Sequence, residues 1–330
     1  MLPVAIICLI IFWFFCPHRK KARGMTDARA INISGSLRML NQRAMKNYLM
    51  IGAGIRPDAA RDQLALTIEL FDMRLGLMQK WATGRTLKYL IRRVELAWIP
   101  YRYSLQQLPE RQRVRVLWRQ SNDLMEISNE LVDEIVRRSG KSAAATINVA
   151  GRQRMLSQQI AKNCVAMVWG FETSEVRDEF SQAVALFEDS MRTLNASPLT
   201  TPRIAVALER ANSLWAQSKP KCQKYCSGPC KPVDVYASTE TLLLKMDKIT
   251  CMYQEIMDGG DGDIGEDFIH DMQASDKLES TPGSDSPKNH QNSCSACSSP
   301  ANNDRPVIVY SYAVIVLLIL IHWDWPSAFV

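Results

Sequence analysis

The chain has 330 residues, 47% of them hydrophobic and 22% charged, with a net charge of +6; that length and balance support two modest domains better than one large core. Its 40 Lys and Arg are interleaved with 34 Asp and Glu instead of forming one basic block, so no nucleic-acid partner is implied. The only histidines are His18, His270, His290 and His322, all outside the helical centre of the chain; no His-based triad or metal site can be built there, and no enzyme, cofactor or metal is expected.

In chain order, residues 1–16 are an N-terminal hydrophobic anchor or signal peptide. The run Leu2 to Phe15 is short for a membrane span and lacks both a basic leader and an Ala-x-Ala cleavage site, which favours an uncleaved anchor. A helical region follows. Ala28 opens a first helix, and Leu64 to Trp81 places Leu64, Ile68, Phe71, Leu75 and Met78 at amphipathic spacing. Thr86 to Leu105 forms a third helix, interrupted near Pro100, and Glu110 to Arg138 a fourth, stopped by Gly140. The same order then returns over Thr146 to Gly170, Thr173 to Leu194, Pro202 to Gln217 and Val235 to Met257. Strand signals are nearly absent, so the expected fold is all-α: two tandem antiparallel four-helix bundles, 28–140 and 141–257, with flanking membrane segments.

Residues 258–306 turn acidic and then rich in Ser, Pro and Asn, the composition of a disordered linker. Asp261 and Asp263 lack the spacing of a calcium loop. Residues 307–323 are uncharged, of minimal spanning length and flanked by Tyr310, Tyr312, Trp323 and Trp325, which reads as a transmembrane helix, with a cleaved lipid-anchor signal as the alternative. Cys222, Cys226 and Cys230 lack zinc-site spacing and suggest a local disulfide or plain loop cysteines; Cys294 and Cys297 lie in the linker.

The helical region says one thing twice. Ile31-Asn32-x-x-Gly35-x-x-Arg38-Met39-Leu40-x-Gln42-x-x-x-Lys46-Asn47 returns without a gap 116 residues on, as Ile31 becomes Ile147: Ile147-Asn148-x-x-Gly151-x-x-Arg154-Met155-Leu156-x-Gln158-x-x-x-Lys162-Asn163. At about 100° per residue, Ile31, Gly35, Arg38, Met39, Gln42 and Lys46 fall on one narrow stripe. Gly, Arg, Gln and Lys are poor at filling a core and good at holding an anion. A lone Arg of this kind is more often a surface residue or an ion-pair partner. Retention of the whole stripe in both copies points instead to a ligand, with Arg38 and Arg154 as its planar forks and Gly35 and Gly151 permitting close approach. Asn32, Gln42, Lys46, Asn148, Gln158 and Lys162 are supporting candidates. If the two helices face each other the guanidinium groups converge, and without carboxylate partners they repel, which an anion between them would relieve.

Ile31 to Tyr48 resembles the P-box of NarX-like nitrate and nitrite sensors. Ala150-Gly151-Arg152-Gln153-Arg154-Met155-Leu156-Ser157-Gln158 is similar to the N-terminal PilJ domain of type IV pilus chemoreceptors. The resemblance covers roughly Ala28 to Met257. It implies a four-helix sensing domain that binds nitrate or nitrite through Arg38 and Arg154, with Gly35 and Gly151 alongside, at a homodimer interface or, since both motifs lie on one chain, a pseudo-dimer within it. No kinase, methyl-accepting or RNA-binding output region follows, so a signal must leave through a separate signalling protein or the membrane segments. The expected location is a membrane, in all expectation the plasma membrane. The basic cluster Arg19 to Arg23 favours domains in the cytosol, while the resemblance favours the exterior; Asn195-Ala196-Ser197 is a glycosylation acceptor that can tell them apart. The alternative function is a structural or interaction protein whose duplicated bundle has lost its ligand.

Overall fold

The structure is a computed structural model; it describes residues 24–225 and 232–260, with side chains at all of these except 221–225 and 232–234. Eight helices make up nearly all of it: α1 Asp27–Gly52, α2 Pro57–Trp81, α3 Arg85–Leu105, α4 Arg111–Ser139, α5 Ser142–Val168, α6 Ser174–Asn195, α7 Pro202–Tyr225 and α8 Pro232–Met257. No strand occurs among the described residues, so the expected all-α class holds. The expected anchor 1–16, the linker beyond Gly260, the apolar run 307–323, Cys226, Cys230, Cys294, Cys297, Asp261, Asp263 and the Cys222 side chain lie outside the described residues. Among the described residues no helix is long and apolar enough to cross a membrane.

Local chemistry sets the helix ends. Thr26 caps α1 by accepting from the Arg29 backbone N–H at 3.1 Å, and Thr173 caps α6 by accepting from Val176 at 3.2 Å. Gly140 ends α4 with φ of +62°, a left-handed conformation glycine adopts without strain. Pro100 does not interrupt α3, contrary to expectation. Proline leaves the carbonyl four residues back without its helical donor, but Leu96, Ile99 and Pro100 all lie on the exposed side, where water can take that role.

Each copy is built alike. In the first, α1 packs on α2 and α4, and α3 packs on α4; in the second, α5 packs on α6 and α8, and α7 packs on α8. Phe71 stacks on Trp98 with centroids 3.8 Å apart, and the indole donates to Asp72; Phe187 meets Trp215 at 4.8 Å, and that indole donates to Glu188. The most extensive contact of all joins the copies, α1 against α5. Arg38 reaches Asn148 and, further along, Lys46 reaches Gln158, so the two motif helices run in the same direction. The apolar core is continuous across both copies.

That placement changes the reading of the repeated stripe. Residues expected to be poor core fillers are fully buried: Arg38, Arg154, Lys46 and Lys162 are among the largest side chains with almost no exposure. The reason is that the two stripes face each other. Each polar row is the other's surface, and the molecule encloses a polar seam between the two copies.

Candidate functional site

The seam has two layers, each built from one motif helix of each copy and the fourth helices α4 and α8, with α6 contributing Glu179 to the second. The first layer holds the arginines. Arg38 donates through Nη1 to Asn129 Oδ1 at 3.0 Å and through Nη2 to Asn148 Oδ1 at 2.8 Å. Arg154 pairs through Nη1 with the Asp247 carboxylate and donates through Nη2 to the Asn32 carbonyl at 3.2 Å. Nε of both arginines is buried without a hydrogen-bond partner. Asn148 in turn donates to Asp133 at 3.2 Å, and the Asn32 amide donates to Gln254 at 2.8 Å. Both asparagines thus bridge helices.

The glycines explain why both heads fit. A Cβ on Gly35 would lie 3.3 Å from Arg38 Nη2 and 3.7 Å from Arg154 Nη2; a Cβ on Gly151 would lie 3.2 Å from Arg154 Nη2 and 4.0 Å from Arg38 Nη2. Both guanidinium groups therefore converge on the space above the same two glycines, and the glycines make room for arginine heads more than for a second backbone. Burial lowers the Arg38 pKa to about 9, with the charges of Arg152 and Arg154 adding to the effect and Asp133 opposing it. Burial also lowers Arg74, where Asp247 opposes and Arg154 adds.

The second layer holds the lysines. Lys46 pairs with Glu240, donates to Gln158 Oε1 at 2.9 Å, and lies 4.8 Å from the Tyr236 ring centroid. Glu240 also receives Arg43 at 2.7 Å. Lys162 pairs with Glu179 at 3.2 Å and lies 3.9 Å over the Trp118 ring. Glu179 is fixed by the Trp118 indole and by Asn122, each at 3.0 Å. Gln42 approaches Ser121 and Gln158 approaches the Thr239 carbonyl, each at 3.5 Å.

The structure thus brings Arg38, Arg154, Gly35, Gly151, Asn32 and Asn148 into one cluster, and Gln42, Lys46, Gln158 and Lys162 into the layer beside it. One expectation needs correction: the arginines are not both without carboxylates, because Asp247 holds Arg154. The sequence reading missed Asp247, Asn129, Glu240, Glu179 and Trp118. A weak signal was present, for the fourth helices repeat at an offset of 118, as Trp118 becomes Tyr236: Ser121 and Thr239, Asn122 and Glu240, Asn129 and Asp247, Asp133 and Cys251 occupy matched positions. Among the described residues no group of His, Cys, Asp and Glu could hold a metal ion, and Cys164 and Cys251 are buried thiols. A cavity of about 490 Å³ is lined by Arg115, Trp118, Arg119 and Asn122 of α4 and by the start of α6, and shares Trp118 and Asn122 with the lysine layer.

Fold and seam together define a duplicated helical-bundle domain whose two copies join along their motif helices. The sequence matches the family of the type IV pili methyl-accepting chemotaxis transducer N-terminal domain, PilJ, twice, over residues 22–127 and 135–240. The chain belongs to that family, in two tandem copies, and carries a domain of the kind used for sensing and signalling. Neither the curated proteins nor the solved structures contain a match to it.

Proposed function

We propose that this chain is a membrane-held sensing module that takes a small planar oxyanion, nitrate or nitrite, between Arg38 and Arg154 and signals through a separate protein. The observation that supports this reading is the convergence of two buried guanidinium groups above Gly35 and Gly151, with no carboxylate among the described residues bonded to Arg38. A buried cation without an ionic partner is costly, and an oxyanion that accepts from two planar forks offsets that cost. The charges acting on the arginine layer favour an anion too, since Arg38, Arg74, Arg152 and Arg154 face Asp133 and Asp247. Both arginines come from one chain, so a homodimer is not needed to complete the site. The apolar runs 1–16 and 307–323 support attachment to a membrane.

Calorimetry of the full chain with nitrate, nitrite and chloride tests the reading. Nitrate or nitrite should bind more tightly than chloride, and Arg38→Met, which keeps the volume of a side chain buried in the core, should abolish binding without unfolding the protein. Equal heats for all three anions, or binding retained by Arg38→Met, would overturn it. A second reading rests on the partners the arginines already have: if Asp247, Asn129, Asn148 and the Asn32 carbonyl suffice, the seam is a structural lock between copies and no anion titrates.

A further inference from the structure

The two layers of the seam solve the same charge problem differently. In the lysine layer each ammonium is paired with a carboxylate, supplied by different helices: Glu240 of α8 for Lys46, and Glu179 of α6 for Lys162. Where α8 has Glu240, α4 has Asn122, and where α6 has Glu179, α2 has Gln63, 116 residues earlier. The acid has moved between helices, yet each lysine keeps its own. In the arginine layer no such exchange has occurred. Asp247 bonds Arg154, the matched position Asn129 bonds Arg38 through an amide oxygen, and the next carboxylate, Asp133, acts on Arg38 through its charge but is linked to it by hydrogen bonds only by way of Asn148. Asn and Asp have the same shape, so the asymmetry is one of charge and not of geometry.

We propose that Asp247 is the specificity-determining residue of the cradle: it acts as a tethered anion on Arg154, leaves Arg38 as the open partner, and so restricts the site to one singly charged oxyanion. This rests on the reading of the seam as an anion cradle. Among the buried charges of this layer, the Arg38 and Arg154 guanidinium groups and the Asp247 carboxylate leave a single positive charge for the ligand to neutralise, while Arg74, Arg152 and Asp133 are partly or fully exposed and screened by water. A monoanion such as nitrate balances it. A dianion such as sulfate leaves an excess negative charge in a buried layer, where an unpaired charge is strongly disfavoured.

The test is calorimetry of the full chain with nitrate and with sulfate, on the wild type, Asn129→Asp and Asp247→Asn. Asn129→Asp gives Arg38 the carboxylate that Arg154 already has, so it should melt no lower than the wild type and bind nitrate about tenfold or more weakly. Asp247→Asn should keep nitrate and gain sulfate by about tenfold or more. Unchanged nitrate affinity in Asn129→Asp overturns the proposal, as does sulfate bound by the wild type as tightly as nitrate. If Asp247→Asn does not fold, Asn129→Asp decides alone. Nitrate bound alike by all three proteins overturns the role of Asp247 and leaves the cradle standing; no anion bound by any of them overturns the cradle and this inference with it.

Discussion

Replacing Glu240 with Gln probes the lysine layer where its energetics are sharpest. Glu240 is 5% exposed and lies between Arg43 and Lys46. Burial alone would push its carboxyl up, but the charges of Arg43 and Lys46 and their hydrogen bonds outweigh burial and hold it at about 2, from an ordinary 4.5. A move of that size is worth about 3 kcal/mol. Because the folded pKa lies below the unfolded one, the contribution is complete above about pH 4.5 and drains away as pH falls toward 2. Glu240→Gln should therefore cost about 3 kcal/mol at neutral pH, in line with removing one partner of a buried ion pair. The gap between wild type and variant should close by about 1.4 kcal/mol per pH unit below pH 4.5. Urea unfolding followed by circular dichroism at a series of pH values measures both. A gap under about 1 kcal/mol at neutral pH, or one that stays constant down to pH 3, would refute the reasoning.

Three further outcomes are expected. Gly52 closes α1 directly against the Trp169 indole, with no room for a Cβ, so Gly52→Ala should destabilise by about 1–3 kcal/mol in urea despite the better helix former; an unchanged midpoint would contradict that packing. A Cβ introduced by Gly35→Ala or Gly151→Ala lies 3.3 or 3.2 Å from a buried, hydrogen-bonded arginine Nη2, so the arginine heads must give by a few tenths of an ångström and nitrate affinity in calorimetry should fall while the helices remain folded; affinity intact in both variants would contradict the placement. Asn195, the exposed last residue of α6, should carry a glycan when the chain is expressed in a eukaryotic host if the domains enter the lumen; an unmodified Asn195 points to the cytosolic side.

Much of this architecture was legible in the sequence because the physics was local. Leu64, Ile68, Phe71, Leu75 and Met78 recur at helical spacing and all are buried, and Gly140 ends α4 as its position suggested. The doubled motif also marked the residues that meet, since an exact offset of 116 places Arg38 and Arg154 at matched heights on two helices. What the sequence could not supply was the partner across the seam. Asp247 and Asn129 sit on the fourth helices among ordinary amphipathic residues, and nothing in their neighbourhood distinguishes them from solvated polar positions until the helices are assembled. For the same reason the full burial of the stripe was not legible: polarity on one helix face reports solvent or a polar partner equally, and only packing separates the two. Pro100 was misread because its effect depends on which side of α3 it occupies.

The central claim is that one chain holds one complete anion cradle. Equilibrium dialysis of the full chain against nitrate measures it directly, as bound anion per chain at saturation. The account predicts one nitrate per chain, lost in Arg38→Met. Two per chain would mean that each copy binds on its own, one per two chains would place the site between molecules, and no saturable binding would contradict the cradle altogether.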